Sequence, residues 1–230
     1  MKLYIGNQNY SSWSLRPWLL LREGCKVPFE TVKISLADVA PGSPFRKEVE
    51  RISPAGRVPV LQDDDGFAVW DSLAITEYLH ERFPSAGVWP ADAKARARAR
   101  CVVAEMHSGF SALRGACPMN LEADLAAVGR RLWEENAPLR RDVARVEEIW
   151  RDALAASGGP MLFGAFSAAD AFYAPVVTRL QTYGLPVSAE SAAYMERVRA
   201  LPAFKEWTEA ALTEGEYVAM DEPYRASRDG

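Results

Sequence analysis

The chain has 230 residues, 49% of them apolar and 25% charged, with a formal net charge of −4. That is the composition of a globular protein with a substantial core. Its acidic balance disfavours non-specific binding to nucleic acid or to an anionic membrane. The three cysteines, Cys25, Cys101 and Cys117, are too few and too widely spaced for a disulfide framework or a Cys-x-x-Cys site. No apolar run approaches the ~20 residues that a membrane-spanning helix needs.

Met1 leads directly into an apolar strand at residues 3–5, without a charged and apolar leader. A cytoplasmic, reducing location is therefore expected. The loop Tyr10-Ser11-Ser12-Trp13-Ser14 follows and opens a helix over 15–23, which Gly24 ends. Serines at a strand-to-helix junction lie beside unpaired helix N–H groups, a setting that suits an anion such as a thiolate. A serine there can equally be the helix N-cap and nothing more.

Alternation predicts a second strand over 29–36. A Pro/Gly-rich loop over 39–43 and a short helix over 45–52 come next. The runs 58–61 and 67–70 flank Asp63-Asp64-Asp65-Gly66, a hairpin signal. Ala74, Ile75, Tyr78 and Leu79 share one face of a helix over 72–83. Residues 84–90 read as a linker.

No strand is expected beyond the linker. Helical stripes run through Ala99, Val102, Val103, Met106, Phe110 and Leu113, and again through Leu139, Val143, Val146, Trp150 and Leu154. Gly158-Gly159-Pro160 breaks the chain, and Ser167-Ala-Ala-Asp170 opens another helix with a capping box. Two last helices are expected over 194–200 and 203–212. The polar tail from Glu214 is expected to be partly mobile. The two histidines, His80 and His107, lie near no second ligand, so no metal site is expected.

Four fragments, in order, resemble the cytosolic glutathione transferase family. Ser11-Ser12-Trp13-Ser14-Leu15-Arg16 is similar to the Ser-Ser-Cys-Ser-x-Arg signature of its zeta-like, serine-type bacterial members, with Trp13 in place of cysteine. Ser53 to Leu61 resembles the segment ending Val-Pro-x-Leu. Asp71-Ser72-Leu73-Ala74-Ile75 resembles the helix start that follows it, and Ser167 to Asp170 matches the family capping box. The resemblance runs from Met1 to about Phe204.

It implies an α/β thioredoxin-like domain over 1–83, a linker over 84–90 and an all-α domain over 91–230. The implied activity is glutathione transfer to a small electrophile bound between the domains, with glutathione as co-substrate and a homodimer as the assembly. Ser11 is implied as the hydroxyl that donates to the thiolate, with Tyr10 as a rival. Ser12, Trp13, Arg57, Val58, Pro59, Asp71 and Ser72 are implied glutathione contacts. Val58 would offer its main chain to the cysteinyl unit, with Pro59 cis, and Asp71 would pair with the γ-glutamyl ammonium. Plain N-capping is the competing reading of Asp71 and Ser72. No residue is assigned to the glycine carboxylate. Tyr10, Trp13, Met106, Phe110, Arg114 and Met119 are candidate walls for an apolar electrophile. Two alternatives stand beside conjugation. One is a glutathione-dependent cis–trans isomerase; Thr182 falls where that branch has a carboxylate-binding arginine, with Arg179 one turn away. The other is a non-catalytic glutathione-binding module.

Overall fold

The computed structural model describes residues 1–228. Strand β1 (Lys2–Ile5) is the centre of the first half: it pairs parallel with β2 (Glu30–Lys33) and antiparallel with β3 (Val60–Gln62). Strand β4 (Ala68–Trp70) completes a four-stranded sheet of order β2-β1-β3-β4. The turn between β3 and β4 closes through Asp63 and Phe67, and Gly66 takes the positive φ (89°) that the turn requires.

Successive strand residues point to opposite faces. Leu3, Ile5 and Leu61 enter the large core, shared with α1 (Ser12–Leu19) and α3 (Ser72–Arg82). Their neighbour Val60 faces a small core with Ile34, Phe45 and Val49, the last two from α2 (Pro44–Val49). Strand β2 is shorter than the expected 29–36. Beyond Lys33 only Ile34 keeps a β1 partner, and the Leu36 N–H donates to the Asn7 side chain instead.

Helices make up the second half: α4 (Ala93–Ser108), α5 (Ser111–Ala116), α6 (Ala126–Glu135), α7 (Ala137–Ser157), α8 (Ala168–Thr182), α9 (Ala189–Ala200) and α10 (Pro202–Thr213). The stripe expected to run on through Phe110 and Leu113 is broken at Gly109 and Phe110. Gly109 is the extended C-cap of α4 (φ −103°, ψ −163°) and Phe110 takes a left-handed φ of 54°, so the chain turns there and α5 starts anew. Helix α6 adds to the helices expected from the sequence. Gly129 lets it lie against the Tyr183 carbonyl, which a Cβ would meet at 1.6 Å. Helix α8 is buried almost along its length, and its capping box holds both halves, Ser167 and Asp170.

The tail departs most from expectation. Rather than trailing into solvent, residues 214–222 lie back across the first half of the chain. Glu214 and Glu216 accept hydrogen bonds from Gln8, Asn9, Asn7 and Ser35.

Candidate functional site

The Ser11 loop sits where β1 hands over to α1. Asn7 closes the turn, its carbonyl accepting from the Tyr10 and Ser11 amides. Ser11 caps α1, its Oγ 3.4 Å from the Ser14 amide and 2.7 Å from the Ser14 Oγ. The Ser14 Oγ also accepts from the Gly6 amide at 3.1 Å. Capping therefore occupies one lone pair of Ser11, and the residue belongs to a chain of two hydroxyls anchored on a backbone N–H.

Ser11 lines a cleft of about 650 Å³ between the sheet half and the helical half, together with Ser12, Trp13, Arg57 and Val58. That volume lies within the range of small-ligand pockets. Val58 is joined to Pro59 by a cis peptide just before β3. Arg114, Met119 and Arg179 contribute from the helical half, and Met220 and Asp221 from the tail. Met106 and Phe110, expected as pocket walls, are instead packed into the core. Arg46, close in sequence to the cleft, spends its guanidinium on the Val39 and Gly56 carbonyls.

Tyr10 is removed as a thiol partner. Its hydroxyl donates to Glu222 at 2.8 Å, and burial together with that carboxylate raises its pKa to about 12. The cleft's second serine, Ser12, accepts a hydrogen bond from Arg179 at 3.3 Å.

Three arginines gather behind the serines. Arg16 is fully buried, and none of its guanidinium nitrogens has a hydrogen-bond partner. It stacks on Trp13 at 4.2 Å and on Phe172 at 5.0 Å. Burial pushes its pKa well down, and Arg114 and Arg179 push it further. Arg114 covers the Trp13 ring at 4.8 Å. Arg179 is buried, donates to the Cys117 and Pro175 carbonyls as well as to Ser12, and is lowered to about 10, mainly by burial. Positive charge held in so dry a place favours an anion next to it. Thr182 takes no part: its hydroxyl donates to the Asn120 carbonyl.

Asp71 and Ser72 begin α3 but are not part of the cleft lining. The Asp71 carboxylate accepts from the Leu73 amide at 2.8 Å, and its backbone sits at a φ of 71°. Such a conformation costs about 1–3 kcal/mol and persists only where the surroundings hold it. Its second carboxylate oxygen lies 3.5 Å from the His107 Nε2 on α4. His107 also packs edge-on against Trp13 at 5.2 Å, and burial lowers its pKa despite Asp71. Nothing in the local sequence links His107 to Asp71; it reads as an ordinary helix residue. The Ser72 hydroxyl is fully buried and has no partner.

Among the described residues, no cluster of His, Cys, Asp and Glu forms a metal site, and no helix is long and apolar enough to cross a membrane.

Both halves of the chain have counterparts among known proteins. Residues 10–82 match the glutathione S-transferase N-terminal domain, and residues 93–210 match the glutathione S-transferase C-terminal domain. A maleylacetoacetate isomerase of Pseudomonas aeruginosa is 34% identical over 122 residues, which is 53% of this chain and 55% of the relative. The chain thus spans about half the length of that curated relative. The structure of a glutathione transferase homolog from Burkholderia gl BGR1, with bound glutathione, superposes with a TM-score of 0.63 at 26% identity, covering 91% of this chain and 96% of that one. A zeta-class maleyl pyruvate isomerase shares the fold, with a TM-score of 0.64 at 23% identity and coverage of 93% and 99%. By both of its halves, the chain belongs to the glutathione S-transferase family.

Proposed function

We propose that the protein binds glutathione along the sheet half of the cleft and uses Ser11 to stabilise its thiolate for attack on a small electrophile. The observation that carries this reading is the hydroxyl chain Gly6–Ser14–Ser11 at the start of α1, with three buried or half-buried arginines behind it. Each hydroxyl has one proton to give. Ser11 donates to the Ser14 Oγ, which also accepts from the Gly6 amide; when sulfur arrives, the Ser11 proton turns to it and Ser14 can donate to the Ser11 Oγ in exchange. A thiolate so held is a nucleophile at neutral pH. The Burkholderia homolog with bound glutathione supports the choice of co-substrate.

Val58 and Pro59 form the edge on which the cysteinyl main chain lies as an added strand. Trp13 and Ser12 flank the sulfur, and Arg57 reaches the peptide from the cleft wall. Asp71 holds the γ-glutamyl ammonium. The Ser72 amide, at the start of α3, holds the γ-glutamyl carboxylate. Turnover of a chromogenic aryl halide with glutathione, absent without it, tests this reading. A chain that neither binds glutathione nor conjugates it contradicts the reading.

Asp71→Asn separates binding from capping, because asparagine caps a helix as well as aspartate does. We expect the Michaelis constant for glutathione to rise about tenfold while the saturated rate stays nearly intact, since this end of glutathione is remote from sulfur. Steady-state kinetics with a melting curve checks it. An unchanged constant would leave Asp71 with capping and the His107 contact alone.

Isomerisation is the second reading, and Arg179 favours it. This guanidinium lines the cleft beside Ser12, where a substrate carboxylate could meet it, whereas Thr182 is turned away. The Pseudomonas relative, named as a maleylacetoacetate isomerase, points the same way. Arg179→Met would abolish turnover of a carboxylate-bearing cis-alkene far more than that of a neutral aryl halide if isomerisation is the task.

The chain works in the reducing cytoplasm, where its three cysteines stay as free thiols. It acts as a homodimer. Phe67, 59% exposed, and Trp70, 42% exposed, stand on or beside edge strand β4, and exposed aromatics beside an open strand edge suit a contact surface. Light scattering should give twice the 25.4 kDa chain mass. A constant single-chain mass across concentrations would contradict the dimer.

A further inference from the structure

Three carboxylates of the tail are hydrogen-bonded to the turn that carries Ser11. Glu214 accepts from two consecutive amides, Gln8 at 2.7 Å and Asn9 at 3.2 Å, and its carboxylate is only 5% exposed. Bonds of this kind, to an ionised acceptor, are roughly twice as strong as neutral ones. Glu222, with a side chain 1% exposed, draws three parts of the molecule together: the Tyr10 hydroxyl at 2.8 Å, the Asn120 amide at 2.7 Å and the Arg225 guanidinium. Glu216 adds Asn7 at 3.0 Å and Ser35 at 2.6 Å. Residues 7–10 are the turn that carries Ser11, and Asn7 is the residue whose carbonyl closes it. Between these carboxylates, Met220 and Asp221 line the cleft, and Met220 is 66% exposed.

We infer that residues 214–222 complete the active site. Glu214 and Glu222 are positioning residues that hold the 7–10 turn, and through it the Ser11 hydroxyl, while Met220 and Asp221 form the outer wall that meets the electrophile. The catalytic half of this inference rests on Ser11 as the thiol donor; the holding of the turn does not. A displacement of about 1 Å at a reacting group can cost on the order of 10²-fold in rate, so a loosened turn should lower turnover without removing any group that touches glutathione. Met220 suits an outer wall because its unbranched thioether adapts to ligands of different shape.

The test uses Glu214→Ala, the milder Glu214→Gln, Glu222→Ala and Met220→Ala in the full chain. Amide hydrogen exchange is followed over residues 6–12, with α8 as the internal control for folding. Glu214→Ala and Glu222→Ala should speed exchange in the turn about tenfold or more and leave α8 protected. Both should lower kcat about tenfold while the calorimetric affinity for glutathione stays within about twofold. Glu214→Gln, which can satisfy one of the two amides, should fall between. Met220→Ala should change kcat/KM for a bulky electrophile and leave turn exchange as it is. Unchanged exchange over residues 6–12 in both alanine variants would overturn the inference. Faster exchange with an undiminished kcat would overturn its catalytic half. Faster exchange in a protein whose wild type shows no turnover would support the holding of the turn and count against the glutathione reading instead.

Discussion

Ser11→Ala should lose about 10²–10³-fold in turnover, the usual effect of removing one preorganised donor to an anion formed in the reaction. Glutathione affinity should fall far less, because the remaining contacts lie along the tripeptide rather than at sulfur. Ser11 also caps α1, but its contact with the Ser14 amide is long, 3.4 Å, so the cost in stability should be near the low end of about 0.5–2 kcal/mol. The profile of kcat/KM against pH is the diagnostic. The wild type should show a midpoint well below the ~8.5 of a free thiol, and the variant should return toward it. Ser14→Ala, which cuts the link to the Gly6 amide, should fall between the two. If Ser11→Ala keeps the wild-type rate while Ser12→Ala loses it, the thiol belongs to Ser12.

Asp170→Ala should be the most destabilising single change in the helical half. The carboxylate is fully buried and accepts from the Leu162 amide, the Ser167 amide and hydroxyl, and the Tyr194 hydroxyl. Alanine leaves these buried donors without a partner, and a loss of about 3–5 kcal/mol is expected. Burial raises this carboxyl from 3.8 to about 6 in spite of its donors. The folded state therefore holds the proton more tightly than the unfolded state. The group's contribution is full below pH 3.8 and declines as the pH rises through about 6. Asp170→Asn, which keeps one acceptor oxygen, should cost less than alanine and remove that pH-dependent component. Urea unfolding between pH 4 and pH 7 measures both effects. A loss below about 1 kcal/mol for the alanine variant would mean that the helix start is satisfied some other way.

The features that could be read from the sequence are those fixed over a few residues. The Asp63–Gly66 turn, the Ser167–Asp170 capping box and the serine-rich start of α1 are short-range devices, and each carries its own chemistry in adjacent letters. The break at Gly109 does not show in the spacing, because Phe110 and Leu113 continue the helical stripe; the left-handed backbone of Phe110 ends it. Helix α6 is short, and its apolar face of Val128, Leu132 and Trp133 is only partly buried against the core and interleaved with charged residues. The site was legible in its sheet half, where Ser11 and Val58 lie in recognisable fragments, and less so where it depends on distant pairs. The contact of Asp71 with His107 joins positions 36 residues apart, and that of Tyr10 with Glu222 joins positions 212 apart. A carboxylate in a polar tail looks like a solvated charge until the fold shows which amides it meets. Arg16 is similar: an arginine on a helix normally reaches solvent, and only the walls of Trp13 and Phe172 enclose it.

The central claim is that glutathione binds in this cleft as a thiolate held by Ser11. Titration of the protein with glutathione near pH 7, followed by ultraviolet difference absorbance of the thiolate, tests it most directly. The account predicts a saturable thiolate signal that Ser11→Ala largely abolishes while calorimetric binding persists. Neither heat nor thiolate absorbance at millimolar glutathione, or a thiolate signal of equal size in Ser11→Ala, would contradict it.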